Sequence, residues 1–587
     1  SSAASDVYKR QKLGFDIKIP YVDGLKFNAL FSYVRGANHS KSFLTPYSLY
    51  LLGDDGSVAN ERIFGKTSLS EEMYIGHNMT STLTLTYNKK IKGHSVSGLL
   101  VYEQFESLGS TLGASRTNFP FTSIDQLFAG GDDEEQSNWG NPSQDARKGF
   151  IGRFNYDYKG KYLAEFSFRY DGSLKFHPDR RWGFFPSVSL GWRLSEEAFM
   201  KKFSNLDNLK VRGSYGILGN DAVGGWQWLT NYSFGDAYIF NQTPIKSIVS
   251  GGIPNVDLTW EKTATFNFGV DASIYKGLLS VEADVFYKRT YDILGSRNAS
   301  MPQTFGATLP SENYGVVKVK GFELQVKHDN KIGDFRYHVG GNVSWARNKV
   351  VEKDYAAGAE PWNNPIGKTM GYRACFVALG LFQSDEEAAA WPRFKGTQPT
   401  AGDVKYADLN NDGIIDERDK KVVSPYSNTP EIMFGLNLSA SWKGFDFSAL
   451  FQGAANRNVM LGGFATQMFI NGDANLPRYL YEDRWTPDNR DARYPKAWGP
   501  DHPSNNKSST FWLINGNYVR LKNVELGYSI SKDILSRVGV DRLRIYVGGS
   551  NLFSIDHMPG YDPEKQDGGP NYYPQQKVFN MGVNITF

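Results

Sequence analysis

Taken two residues at a time, long stretches of the chain alternate apolar and polar side chains. From Ala264 to Ile274, one face carries Ala264, Phe266, Phe268, Val270, Ala272 and Ile274, and the other Thr265, Asn267, Asp271 and Ser273. That period of two is the signature of a β-strand. After Tyr275-Lys276-Gly277 the alternation resumes, with Leu279, Val281, Ala283, Val285 and Tyr287 opposed to Ser280, Glu282, Asp284 and Lys288. Together the segments predict a hairpin about eleven residues tall. The same unit recurs around Lys159-Gly160, between Phe154, Tyr156, Tyr158 and Tyr162, Ala164, Phe166, Phe168, and around Lys443-Gly444, between Ile432 to Trp442 and Phe445 to Phe451.

Eight such hairpins are predicted, turning near Tyr21 to Gly24, Asn88 to Gly93, Lys159-Gly160, Ser195 to Asp207, Tyr275 to Gly277, Asp329 to Asp334, Lys443-Gly444 and Ser531 to Asp541, with a last strand from Val578 to Phe587. The opposite connections are much longer, about Arg35 to Asn78, Phe105 to Gly149, Ile217 to Thr263, Ala346 to Pro430 and Gly453 to Asn517. Short turns alternating with long loops, on strands long enough to cross a bilayer at a tilt, predict an all-β chain forming a transmembrane antiparallel β-barrel. A soluble propeller also yields many strands, but its blades repeat at about 40 to 50 residues, and these hairpins are irregularly spaced. In the last strand Phe579, Met581, Val583, Ile585 and Phe587 alternate with polar or small residues and an aromatic ends the chain, which reads as a barrel-assembly signal.

Composition agrees. Of 587 residues 14% are aromatic and 60 are glycine, while the mean hydropathy is only −0.45, as expected when every second residue of a strand faces water. No run reaches the roughly 18 to 20 apolar residues of a membrane helix. A net charge of +3 without a basic tract argues against nucleic-acid binding. The opening Ser1-Ser2-Ala3-Ala4-Ser5-Asp6-Val7 lacks the charged and apolar segments of a signal peptide, so the expectation is that targeting was removed or that the chain begins inside a longer one.

Catalytic patterns do not stand out. Cys375 is the one cysteine, which allows no internal disulfide and reads as an ordinary buried or loop thiol. Gly-Lys-Thr at Gly65 and Gly367 lacks the upstream glycine of a phosphate loop. The run Asp132, Asp133, Glu134 and Glu135 reads as a solvated loop, since nothing in it would separate the pKa values of an acid and a base.

Four segments resemble the SusC/RagA family of TonB-dependent outer-membrane transporters, typical of Bacteroidetes. They are Asn517-Tyr-Val-Arg520-Leu-Lys-Asn-Val-Glu-Leu-Gly-Tyr528, Val547-Gly-Gly-Ser-Asn551-Leu-Phe553, Pro559-Gly-Tyr-Asp562-Pro-Glu564 and Gly402-Asp403-Val-Lys-Tyr-Ala-Asp408. The resemblance implies a barrel of about 22 strands holding an N-terminal plug. About 17 of those strands are expected here, with Leu13 to Pro20 near the sixth, and about five more plus the plug and the TonB contact expected N-terminal to Ser1. Residues 1 to 587 would then be the C-terminal portion of the barrel, with 346 to 430 as its longest extracellular loop. The resemblance further implies import of oligomers across the outer membrane of a Gram-negative, Bacteroidetes-like cell, energised by TonB, under a SusD-like surface lipoprotein lid, as a dimer of such pairs. A passive porin and a barrel hydrolase are the rivals from other classes.

Within that loop, residues 408 to 419 place Asp408, Asn410, Asp412, Asp416 and Asp419 at positions 1, 3, 5, 9 and 12, Gly413 at 6 and the carbonyl of Ile414 at 7. This is the spacing of an EF-hand-like Ca2+ loop. Asp419 in place of the usual bidentate Glu shortens the reach and leaves room for Mg2+; the alternative is an Asn/Asp/Gly turn holding water. The expected metal is structural, pinning a loop near substrate or partner. Trp226 and Trp228 with Asp221, and Trp362 with Asn363 and Trp391, are candidates to stack on sugar rings and hydrogen-bond hydroxyls, as are Trp139 and Trp498, although loop aromatics also pack on themselves. An oligosaccharide is the first expectation and a peptide the second.

Overall fold

The computed structural model describes residues 2 to 587 except 54, 133–134, 241–242, 306–308, 471–474, 500–501, 532–534, 536–538, 566 and 569–572. Asp133 and Glu134 of the acidic run thus lie outside the described residues. Seventeen strands form one sheet: β1 (Ser2–Lys18), β2 (Leu25–Leu44), β3 (Ser68–Ile91), β4 (His94–Thr117), β5 (Gln136–Tyr158), β6 (Tyr162–Ser173), β7 (Trp182–Arg193), β8 (Leu206–Asn220), β9 (Glu261–Ile274), β10 (Leu279–Ser296), β11 (Ser311–Ile332), β12 (Phe335–Glu352), β13 (Ile432–Trp442), β14 (Phe445–Ala455), β15 (Tyr518–Ser529), β16 (Arg542–Asp556) and β17 (Val578–Thr586). The strands of the predicted hairpins are present; of the last predicted turn, Ser531 to Asp541, residues 532–534 and 536–538 lie outside the described residues. At Lys92-Gly93 and Lys443-Gly444, both turn residues have positive φ (45° and 88°, 45° and 92°), the two-residue hairpin geometry that matches strand twist and favours glycine second.

Contacts divide the chain into two compact units, residues 1–159, 163–188 and 217–260, and residues 160–162, 189–216 and 261–587. In the second unit, β9 to β17 pair antiparallel in chain order. The registers align side chains into rows. Val270, Ala283, Leu324, Val343 and Phe434 form one row, and Phe268, Val285, Phe322, Trp345 and Ile432 the next. On the other face run Asp271, Glu282, Gln325, Asn342, Gly435, Gln452 and Arg520. The apolar side remains open, with Phe268 43% and Val285 53% exposed. Along β13 this face runs Ile432, Phe434, Leu436, Leu438, Ala440 and Trp442, ten residues or about 34 Å of strand, which at the usual tilt matches the roughly 25 Å apolar band of an outer-membrane wall. Toward the short turns the same face ends in Phe335, Trp442, Phe445 and Tyr528, an aromatic girdle.

In the first unit, β1 to β5 pair consecutively, and Phe15, Ala29, Leu83, Tyr102 and Phe150 make an apolar row in the same way. Here the expected loops are too long. The ladder of β2 and β3 continues to Leu44 and Ser68, and that of β4 and β5 to Arg116 and Gln136. These strands reach 24 residues, and in their outer parts apolar and polar positions mix, with Ser70 opposite Ser115 and Ile75 opposite Ser110. Backbone pairing persists there although the alternation that reveals a strand has gone. Two hairpins stand apart from the large sheet, Tyr47–Leu52 with Val58–Phe64 and Tyr232–Phe240 with Thr243–Ser250.

Because Leu324 and Gln325 are adjacent but lie on opposite faces of β11, the two positions should respond differently to one charge. Leu324→Arg is expected to destabilise the membrane-inserted full-length protein by about 2–4 kcal/mol, and Gln325→Arg by less than about 1 kcal/mol. Urea unfolding in lipid vesicles measures both; equal losses would contradict the assignment of faces.

Candidate functional site

Three of the four family-like segments, 517–528, 547–553 and 559–564, meet in the structure. Opposite β14 and β16, the register of β15 shifts between Leu521 and Asn523, so Lys522 is a bulge, and the partner strand accommodates it at Asn551, whose φ is +54°. Without the bulge, strict alternation from Val524 would send Arg520 to the apolar face; with it, Arg520 turns to the polar one. There it is 4% exposed and donates to Asp562 at 2.9 Å, Glu564 at 2.9 Å and Gln575 at 2.7 Å. Lys522 adds a 3.2 Å contact to Glu564.

Two further arginines hold the same 557–577 connection. Arg457, 3% exposed, donates to the carbonyls of Lys565 (2.7 Å) and Asn428 (3.1 Å), and Arg373 makes paired 2.8 Å bonds to Asp567. Nothing in the local sequence pattern pairs these arginines with the 557–577 connection. The signal was a charged residue interrupting an apolar alternation at Arg520, two segments before an Asp-Pro-Glu.

Around these clamps the long connections fold on one another. Val459, Leu461, Met468, Leu480, Tyr494, Trp498, Trp512 and Met558 share a core, and Phe376, Val404, Tyr406 and Ile415 another. Trp498 is therefore a core residue, 6% exposed. Asp403, 1% exposed, ties 353–431 to 456–517: it accepts from Asn505 Nδ2 at 2.9 Å and lies 3.4 Å from both Lys496 Nζ and His502 Nε2. His502 Nδ1 accepts the Asn505 backbone N–H at 3.1 Å, and burial lowers the His502 pKa more than Asp403 raises it. Cys375 is fully buried, and burial pushes its thiol up to about 11, which removes the thiolate needed for nucleophilic chemistry.

The 408–419 loop is shaped by its own side chains. Asp408 Oδ2 accepts the Gly413 N–H at 2.9 Å, Asn410 Oδ1 that of Asp412 at 3.0 Å, and Asp412 Oδ1 that of Ile414 at 3.0 Å. Asn411 and Gly413 take the left-handed conformation that this tight winding demands (φ 58° and 82°). Asp419 is fully buried, and both its oxygens accept backbone N–H groups, from Leu409 at 2.7 Å and Asp416 at 2.8 Å. The Arg418 guanidinium bridges Asp412 and Asp416 at 2.5 and 2.7 Å and holds the Asp416 carboxyl below its usual range. Asp408 Oδ1 is buried without a hydrogen-bond partner. Among the described residues no group of three or more His, Cys, Asp or Glu side chains is gathered in ligand geometry.

Two of the predicted tryptophans bracket this loop. Trp362 donates its indole N–H to the Glu417 carbonyl at 2.9 Å beneath Lys420, while Trp391 donates to the Tyr406 carbonyl at 2.8 Å with Lys405 3.7 Å over its ring. Asn363 beside Trp362 is exposed. In the first unit, Asp221 is buried and accepts from Arg147 Nη2 (2.9 Å) and Ser173 Oγ (2.8 Å). Trp226 takes a left-handed φ of +65° and packs 6.1 Å from Trp228, which meets His177 edge-on. Trp139 donates to Glu72 at 3.0 Å. Phe579, Met581, Val583 and Ile585 share one face of β17, opposite Gly549, Val547, Ile545 and Leu543, and Phe587 follows, 85% exposed.

A cavity of about 820 Å3 opens on the polar face of the second unit, lined by Glu282, Glu323, Gln325, Asn342 and Gln452 on the sheet and by Tyr518 and Glu564 at the arginine clamp. Asp284, also on its wall, is neutralised by Arg212, which bonds Asp271 at 3.1 Å as well.

The family model described as TonB dependent receptor-like, beta-barrel, matches residues 3–552. TonB-dependent receptor P3 of Formosa agariphila is 26% identical over 97% of this chain and 57% of its own length. TonB-dependent receptor SusC of Bacteroides thetaiotaomicron is 26% identical over 75% of this chain and 43% of its own length. The chain thus spans about half the length of the curated relatives it matches. Among solved structures, the RagAB peptide importer in its open-open state superposes over 100% of this chain and 62% of that one, with a TM-score of 0.79 at 22% identity, a likeness of fold.

Breaking the Arg520 clamp should release the 557–577 connection. Arg520→Met removes the buried guanidinium that Asp562 and Glu564 share, an expected cost of about 3–5 kcal/mol, seen as faster hydrogen exchange and proteolysis across 557–577 in the detergent-solubilised protein. Adding Asp562→Leu should recover part of the loss; unchanged protection in Arg520→Met would show the clamp to be dispensable.

Proposed function

We propose that this chain, which belongs to the TonB-dependent receptor-like β-barrel family, forms the membrane-spanning wall and surface loops of an outer-membrane importer of oligomeric nutrients. The observation that carries this reading is the pairing of faces in the second unit. One face is a continuous apolar surface of bilayer height. The other is a polar wall with a cavity of about 820 Å3, too large for its own side chains to fill. TonB supplies the energy, and a SusD-like lipoprotein covers the loops, in assemblies that pair two such units. The role is transport, not chemistry.

Oligosaccharides are the substrate class we favour. Trp362 and Trp391 are held by their indole N–H groups, which fixes ring planes of the kind that stack on sugars, and carboxamides of the wall suit hydroxyls. A peptide is the second reading: Gln325, Asn342 and Gln452 occupy one cross-strand row, where amides can pair with an extended backbone. Uptake of fluorescent oligosaccharides and peptides by cells with and without the gene, and with TonB deleted, tests both. Loss of uptake in each deletion is expected. Uptake that persists without TonB would indicate a porin, and hydrolysis of the oligomer by purified protein would indicate an enzyme.

We also assign a divalent cation, Ca2+ ahead of Mg2+, to Asp408, Asn410, Asp412, the Ile414 carbonyl, Asp416 and Asp419. The buried, unpartnered Asp408 Oδ1 supports it, as does an all-oxygen donor set suited to a hard cation. Bound there, the ion would cross-link a loop that Arg418 now closes. In the full-length protein, Ca2+ titration followed calorimetrically and by tryptophan emission should show saturable binding that Asp408→Ala abolishes and Arg418→Ala tightens. No heat and unchanged protease sensitivity across 408–419 would rule the site out.

A further inference from the structure

We infer that the membrane-facing surface of β10 to β12 carries a binding site for the phosphate-bearing headgroup of a lipid in the outer leaflet. Moving along the apolar face toward the long connections, the row Phe268, Val285, Phe322, Trp345 and Ile432 is wholly apolar. The next row on that face is Phe266, Tyr287, Lys320 and Arg347, and the one after it Ala264, Arg289, Lys318 and Lys349. Successive rows are two residues, about 7 Å, apart. The face therefore changes from hydrocarbon to aromatic and cationic within one step, the depth at which headgroups replace acyl chains.

The change occurs at one end only. Toward the short turns the same face continues as Asn330, Tyr337, Ala440 and Phe447, then Ile332 and Phe335, with no lysine or arginine in those rows. In an outer-membrane barrel the long connections are extracellular, so the basic rows meet the outer leaflet. This inference rests on the membrane-spanning reading given above.

The cationic rows form a cavity rather than a scatter of surface charge. A hollow of about 560 Å3 is lined by Lys318, Lys320, Arg347, Lys349 and Lys368, and by no carboxylate, with Thr369 and Tyr372 of the 353–431 connection closing one side. Arg347 is already neutralised by two 2.7 Å bonds to Glu431, and Lys368 donates to the Pro361 carbonyl at 2.6 Å. Lys318, Lys320 and Lys349 have no carboxylate partner among the described residues. Lys318 stands directly opposite both Arg289 and Lys349, and like charges in facing positions are unfavourable. A phosphate placed among them removes that repulsion, while its acyl chains lie along Phe322, Val285 and Trp345. A free anion would gain the first contribution alone, so a lipid is the occupant that uses both halves of the surface.

The test is native mass spectrometry of the full-length protein extracted from outer membranes in detergent, titrated with lipid A, with dephosphorylated lipid A and with inorganic phosphate. Lipid A is expected to bind at least about tenfold more tightly than its dephosphorylated form, and the triple variant Lys318→Gln, Lys320→Gln, Lys349→Gln to lose about that preference. Equal binding of the two lipids, or full retention by a triple variant that still shows the heat-modifiable mobility of a folded barrel, would overturn the inference. So would displacement of lipid A by an equal concentration of inorganic phosphate, which would mark a free-anion pocket. A protein missing from the outer-membrane fraction would instead overturn the membrane-spanning reading, which that fractionation tests separately.

Discussion

The in-register antiparallel ladder is the constraint on which everything else depends. Within hydrocarbon no water is available to a backbone N–H or C=O, so each strand must satisfy its neighbours. Because side chains alternate with a period of two, a slip of one residue at any strand pair would exchange the two faces beyond it. From β9 to β14 the pairing keeps one set of rows apolar over at least five strands. The polar cavity, the aromatic girdle and the cationic rows are all consequences of that single alignment.

Where the ladder departs from strict alternation, it does so to aim a particular side chain. The bulge at Lys522 with left-handed Asn551 opposite brings Arg520 round to Asp562 and Glu564. Arg520 on β15 and the Asp562-Pro563-Glu564 segment thereby share one ion network, which holds that segment to the wall. Buried charges of this kind add little net stability compared with apolar packing, but they are costly to separate. They define one arrangement of the connection against alternatives, as Asp403 does for the pair of longer connections.

The loops are the counterpart of the wall. A connection such as 353–431 would be expected to be mobile if it had only its own residues to pack against. Instead the Phe376, Val404, Tyr406 and Ile415 core and the Trp512 core give these segments interiors of their own. The rings of Trp362 and Trp391 are positioned by bonds to backbone carbonyls at the two ends of the 408–419 loop. Any ligand of that loop would therefore act on surfaces of settled geometry.

Period-two patterning, Lys-Gly turns and the alternation of short and long connections made the sheet, its hairpins and its two faces legible from the sequence alone, because each is a local property of neighbouring residues. The outer halves of β2 to β5 were not legible, since backbone pairing continues there while the alternation of apolar and polar residues becomes irregular. The 408–419 spacing was visible, but not that Arg418 bridges Asp412 and Asp416, nor that both oxygens of Asp419 accept backbone N–H groups. Arg373, Arg457 and Arg520 were ordinary charged residues until the fold set them beside the 557–577 connection. The meeting of Arg289, Lys318 and Lys349, dispersed along 61 positions of chain, likewise exists only once three strands are in register. Local periodicity determined which elements form; the partners that a buried or membrane-facing charge must find were decided by tertiary pairing, because they come from segments whose separation in sequence carries no signal.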